Sequence, residues 1–182
     1  MTARTGPVLT TTAAAAVVLL AMSAGVPAAG RPELVSAAAL EALIPAPDGW
    51  TKVSGRASEV AISPTVAYVA ANALFTKDAS RVRVTIADTD GSADVLVALA
   101  TMVVSLPDGH SQTMKPATTI TRASYKNWPS AERWDGVKMA GELSVVVNGR
   151  FVIALDGSGL ESPVTLFEVL EAIDLGAVAR LK

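Results

Sequence analysis

Glu142–Asp156 reads ELSVVVNGRFVIALD, two β-branched apolar runs on either side of Asn148-Gly149. Asn-Gly between such runs is the strongest short-range signal for a two-residue type I′ hairpin, because both central residues must take positive φ. A loop of Asn148-Gly149 sets Val147 opposite Arg150, Val146 opposite Phe151 and Val145 opposite Val152. Alternation then sends Leu143, Val145, Val147, Val152 and Ala154 to one side, and Val146, Phe151, Ile153 and Leu155 to the other. Both sides are apolar, whereas a ribbon with one wet face alternates cleanly. The hairpin therefore belongs in the middle of a sheet that is covered on both faces.

Outward from this hairpin, the rest of the chain reads as helices and further antiparallel strands. Leu34–Ile44 has a helical apolar face through Leu40, Leu43 and Ile44, ended by Pro45 and Pro47. Trp50 follows the Asp48-Gly49 turn as a core plug, with ligand stacking as the alternative. Thr51–Val53 and Glu59–Ile62 read as short extended segments separated by a loop. Thr65–Thr76 suits a long strand, although its alanines also suit a helix. Arg81–Ala87 alternates strictly, with Val82, Val84 and Ile86 opposed to Arg81, Arg83 and Thr85, so the turn at Lys77–Ser80 makes the two segments a hairpin. Ser92 is placed to cap a helix whose apolar run, Val95–Val104, implies burial against more than one neighbour. Residues 107–117 read as loop. Thr118–Arg122, Ser124–Trp128 and Ala131–Trp134 are strand-like, and Ser162-Pro163 opens a helix with Leu166, Val169, Leu170 and Ile173 as its stripe. Leu175–Leu181 forms a short terminal helix.

These segments predict one α+β domain over residues 29–182, an antiparallel sheet of about six strands with helices packed on both faces. Residues 1–28 read as a signal peptide. Arg4 gives a small positive region, Thr12–Val26 an apolar run, and Val26-Pro27-Ala28 the small residues a signal peptidase takes. An uncleaved N-terminal anchor is the alternative; after cleavage no membrane span is expected. The protein is accordingly expected in the periplasm or secreted. The chain has no cysteine, which excludes disulfides, thiolate metal sites, thiol catalysis and lipobox attachment. A net charge of -2 without a basic stripe argues against nucleic acid as a partner.

Chemistry is sparse. The single histidine, His110, lies in a Gly- and Ser-flanked loop, and no G-x-S-x-G elbow exists to make a hydrolase of it. Asp88, Asp90 and Asp94, within DTDGSAD, resemble the opening of a calcium loop. The twelfth position, where an acid should close the ligand set, is Leu99. A strand end followed by a helix cap accounts for the same residues. Tyr125, Lys126, Trp128, Arg133 and Trp134 form the best candidate surface, aromatic rings beside polar groups that suit a peptide or sugar, with core packing as the competing account. No cofactor motif is present.

The segments ALEALIPAPDGW, VVVNGRFVIALDGSG and LEAIDLGAVARL resemble a group of small exported bacterial proteins of unknown function. The order of elements is similar to the PsbP-like fold, an antiparallel sheet with helices on both faces, seen in photosystem PsbP proteins and a nuclear-import factor. That resemblance implies a binding or accessory module whose partner is a protein, peptide or envelope component. The expectation is a non-catalytic binding protein, with a hydrolase or a carbohydrate- or calcium-binding module as the alternatives.

Overall fold

The computed structural model describes residues 33–62, 66–114 and 117–182. The expected signal segment, residues 1–28, lies outside them. In chain order the elements are α1 (Ala37–Glu41), β1 (Thr51–Ala61), β2 (Ala67–Lys77), β3 (Ser80–Asp88), α2 (Ala93–Leu99) and α3 (Thr101–Ser105). They continue with β4 (Ser111–Met114), β5 (Thr118–Tyr125), β6 (Trp128–Asp135), β7 (Ala140–Val147), β8 (Phe151–Ser158), α4 (Val164–Glu171) and α5 (Leu175–Ala179).

All strands join one eight-stranded antiparallel sheet in the order β1-β2-β3-β8-β7-β6-β5-β4. The expected sheet of about six strands sandwiched between helices is corrected by this arrangement. Residues 111–114, expected as loop, pair with β5 as an edge strand. Thr51–Val53 and Glu59–Ile62, expected as separate segments, fall on one eleven-residue strand that ends at Ala61 and is kinked where its register slips between Lys52 and Ser54. Exposure along this edge is high, and the bulge together with Lys52 and Arg56 discourages pairing with another chain. The helices are short, five to eight residues each.

The order of strands explains where the helices lie. β3 is central and β4 is the far edge, so the chain between them must cross one face of the sheet. α2 touches β8 on this route, and α3 touches β7 and β6. Their apolar contact is small and alanine-rich: Ala70, Ala87, Ala131, Val146 and Val152 lie beneath Ala100 and Val103. The helix expected to be buried all round is instead interrupted at Ala100 (φ -136°, ψ 42°), and Val97 and Val104 are 44% and 48% exposed. One side packs; the other meets solvent.

The opposite face holds the main core. Phe75, Val82, Val84 and Ile86 of β2 and β3 meet Leu40 of α1 and Leu166 and Leu170 of α4. Leu143, Val145 and Val147 of β7 and Phe151, Ile153 and Leu155 of β8 complete it, every one at most 2% exposed. Full burial of a side chain of this size contributes about 1.5–3 kcal/mol. Trp50, 9% exposed, belongs to this core, and the stripe Leu166, Val169, Leu170, Ile173 is buried as its spacing requires.

The β7–β8 register departs from the two-residue loop by one position. Val147 pairs with Phe151 and Val146 with Val152, leaving Asn148, Gly149 and Arg150 as a three-residue loop. Asn148 and Gly149 do take positive φ, 53° and 62°, and the Arg150 N–H donates to the Val147 carbonyl at 3.1 Å. Arg150 is drawn out of the ladder. Its Nε and Nη2 each donate at 2.7 Å to the two oxygens of Asp88, and Nη2 also donates to the Glu33 carbonyl. Its own carbonyl accepts from the Thr89 N–H at 3.1 Å and the Thr89 hydroxyl at 2.6 Å. A one-residue slip reverses every side chain of a strand. Phe151, Ile153 and Leu155 thus join Val145 in the main core, and Val152 and Ala154 turn to the other face with Val146.

Candidate functional site

The crossing helices cover only part of their face, and the remainder is an open trough. Its charged row follows the register across four strands: Arg83 of β3 faces Asp156 of β8, Asp156 faces Glu142 of β7, and Glu142 faces Arg133 of β6. Arg133 and Glu142 form an ion pair. Asp156 and Glu142 are like charges directly opposite each other, an arrangement that destabilises a sheet unless cations flank it. Arg83 and Asp156 are exposed, and no ion pair forms between them.

Two adjoining recesses, of about 340 and 180 Å³, share Glu142 and Asp156. Small residues make the floor, Ala140 and Ser158 in the larger recess, Ser144 and Ala154 in the smaller. Lys138 and Asp135 stand at the outer end. Asp135 accepts backbone hydrogen bonds from Lys138 and Val137, which hold its carboxyl below the usual range and fix the β6–β7 turn. From Arg83 to Arg133 the row spans three strand spacings, roughly 14 Å. About four residues of extended polypeptide cover that distance.

A recess of about 520 Å³ elsewhere, beside Trp50, is walled by Pro45, Pro47, Lys77 and Glu168. It shares no residue with the trough.

Four of the five surface candidates from the sequence divide between the two sheet faces, and Lys126 sits in the β5–β6 turn. Arg133 lies in the trough. Tyr125 and Trp128 pair across the β5–β6 turn, and Trp134 shares their face, so all three aromatics lie on the side of the main core. Strand alternation separates Tyr125 from Trp128 only if residues 124–128 form one strand. Lys126 and Asn127 instead take φ of 49° and 70° and reverse the chain. Each ring is half-buried, at the rim of the core. The Tyr125 ring lies 5.7 Å from that of Phe167 in α4, and the Lys126 ammonium stands 5.2 Å over its centroid. Its hydroxyl is buried and makes no hydrogen bond among the described residues. Gly141, opposite Trp134, leaves room for the indole, since a Cβ there would lie 2.9 Å from Trp134 Cε3.

Of the calcium candidates, Asp88 is put to another use. Asp88 is fully buried, and its two oxygens accept from Arg150 twice, from the Val35 N–H at 2.8 Å and from the Asp90 N–H at 3.0 Å. Burial pushes its carboxyl up; the Arg150 hydrogen bonds and the two backbone donors outweigh this and hold it below the usual range. Asp90 and Asp94 are exposed. Among the described residues, no three His, Asp or Glu side chains converge as a metal-ligand set. His110 engages the fold through its backbone, its carbonyl accepting from the Arg122 N–H at 2.7 Å. No carboxylate or hydroxyl partners its imidazole among the described residues.

Sequence reasoning missed Arg83, Glu142 and Asp156 as site residues. Glu142 and Asp156 bound the hairpin stretch itself, but only the three-residue loop brings them face to face. Compared with protein-family models, with curated proteins and with solved structures, the chain gives no match.

Proposed function

We propose that this protein is an exported, non-catalytic binding or accessory protein of the bacterial envelope, and that it holds a polypeptide partner in the open trough. The observation that carries this reading is the charged row Arg83–Asp156–Glu142–Arg133 on a floor of small side chains. A trough of this kind suits an extended polar segment carrying both signs of charge. Such complementarity sets specificity and encounter rate more than affinity. Export rests on the N-terminal sequence, Arg4 followed by the apolar run and the small residues at Val26–Ala28. In the envelope, a partner of protein or peptide character fits better than a small molecule, because the trough is shallow and long.

The test is affinity capture from the native envelope fraction with residues 29–182, comparing wild type with the double variant Arg83→Glu/Arg133→Glu. Capture by wild type and its loss in the variant supports the trough. Equal capture by both moves the site elsewhere, and capture by neither removes the reading.

A further inference from the structure

On the main-core face α4 and α5 pack chiefly on β7 and β8, while Phe167 of α4 reaches across to the Tyr125 ring of β5. Beyond that contact, one side chain of β6 stands apart. Glu132 of β6 shares the face with Trp134, two residues on, and sits opposite Thr121 of β5 and Leu143 of β7. It is half-buried, and no hydrogen bond or ion pair reaches it among the described residues. The positions around it on that face are Thr119, Thr121, Ser130, Trp134, Gly141 and Leu143, none of them charged. Lys126, the cation at the hairpin end, is taken up by the Tyr125 ring.

We propose that Glu132 and Trp134 form a receptor for a lysine ammonium presented by a polypeptide partner, with Thr119 and Thr121 as its polar rim. This goes beyond the trough on the other face and is independent of it. A half-buried carboxylate without a cation costs stability, and an arriving ammonium removes that cost. Same-face neighbours two residues apart on a strand are separated by roughly 6.5 Å, a span that a lysine ammonium and its apolar stem can bridge between carboxylate and indole. Gly141 leaves room for the indole, whose Cε3 lies over it and whose Nε1 stands towards Gly136, and an indole is an aromatic surface of the sort that attracts ammonium groups. Burial also holds the Glu132 carboxyl above the usual range. Binding should therefore weaken on acidification before an ordinary carboxylate would protonate, while the lysine stays charged throughout.

The experiment is an NMR titration of residues 29–182 with the blocked tripeptide Ac-Ala-Lys-Ala-NH₂, its norleucine counterpart and n-butylammonium, read at the Trp134 indole N–H. A saturable shift is expected with the lysine peptide, at least tenfold weaker with norleucine and with Glu132→Gln. Circular dichroism and the melting curve establish that the isosteric variant is folded. Equal response to lysine and norleucine, or an unchanged affinity in the variant, would overturn the proposal. So would n-butylammonium binding as tightly as the peptide, because the amine's source would then be a small molecule. No saturable shift in wild type at neutral pH also overturns it.

Discussion

Two hairpins of the same sheet, β5–β6 and β7–β8, invert what their turn sequences announce. The Asn-Gly turn of β7–β8 has the ideal residues for a two-residue loop and makes a three-residue one. The β5–β6 turn has Lys126-Asn127, without glycine, and makes the two-residue loop with both residues at positive φ and Tyr125 paired directly to Trp128. Each hairpin is also tied to the fold by an arginine. Arg150 holds the buried acid Asp88; Arg122, 8% exposed, donates to the Val103, Ala123 and Ser130 carbonyls and pairs with exposed Asp108 at 3.0 Å. Tertiary anchors, more than turn propensity, set the loop lengths. An arginine facing a buried acid also does something different from one facing backbone carbonyls.

Breaking the first anchor should have the largest effect. Arg150→Ala leaves the Asp88 carboxylate buried without its cation, and a loss of about 3–5 kcal/mol is expected by chemical denaturation. Deleting Arg150 sharpens the point. The shortened loop retains Val147 opposite Phe151 and becomes an ordinary two-residue turn, so no strand need slip. If the orphaned carboxylate is the cost, the deletion and Arg150→Ala agree to within about 1 kcal/mol; a clearly milder deletion would mean that loop geometry matters more. Acid should reproduce the effect in wild type. Because the folded Asp88 carboxyl lies below the ordinary value, its contribution is complete above the unfolded pKa of about 3.9. It is lost as pH falls through the folded pKa. Arg150→Ala should lack that part of the acid limb.

Arg122→Met is the matching cut in β5–β6, with a smaller expected loss of about 2–3 kcal/mol. The carbonyls of Val103 and Ser130 are left without this donor, at about 1–3 kcal/mol for a buried acceptor that goes unsatisfied. Asp108, 89% exposed, simply returns to water. A loss equal to that of Arg150→Ala would mean that the distinction between acid and carbonyl partners is wrong.

The legible part of the fold was the part written in local pattern. The alternation of Arg81–Ala87, the Lys77–Ser80 turn and the stripe Leu166–Ile173 each place their side chains correctly because their neighbours in sequence are their neighbours in the element. The β8 faces were misplaced because the decisive contact, Arg150 to Asp88, joins residues 62 apart. β4 was hidden because SQTM has no apolar alternation, as expected of an exposed edge strand. β5 and β6 blurred into an interrupted strand because Pro129 falls near the turn. In the structure Pro129 pairs only with Ser124, beyond the last β7 partner at Ser130, so its missing N–H breaks no ladder bond to β7. Of the surface, Arg133 and the aromatics were visible as residue types. Which face each occupied was not, since that depends on where the turn falls.

Rewriting the β5–β6 turn should have a small effect of the opposite sign. Lys126→Asn with Asn127→Gly installs the dipeptide that positive φ at both positions favours. The expected gain is about 0.5–1 kcal/mol, from backbone strain relieved at position 127 and a loop already of the right length. Gly149→Ala in β7–β8 should lose a similar amount, as its φ of 62° suits glycine. A neutral result for both would leave turn chemistry with no measurable part in either hairpin.

The smallest expected effect lies on β6 itself. Glu132 has its carboxyl raised by burial, with no cation paired to it among the described residues, the reverse of Asp88. A carboxyl raised in the folded state binds its proton more tightly there, so stability falls as pH rises through the folded pKa. Glu132→Gln removes that penalty while keeping the shape of the side chain. The variant should match wild type in acid, where Glu132 is protonated, and exceed it at neutral pH by no more than about 0.5 kcal/mol, the range of substitutions outside special sites. Paired melting curves at pH 4 and pH 8 read this directly. A variant less stable than wild type at pH 8 would mean that Glu132 makes a stabilising ionic contact, and the contrast between an acid satisfied by the β7–β8 loop and a waiting one in β5–β6 would fail.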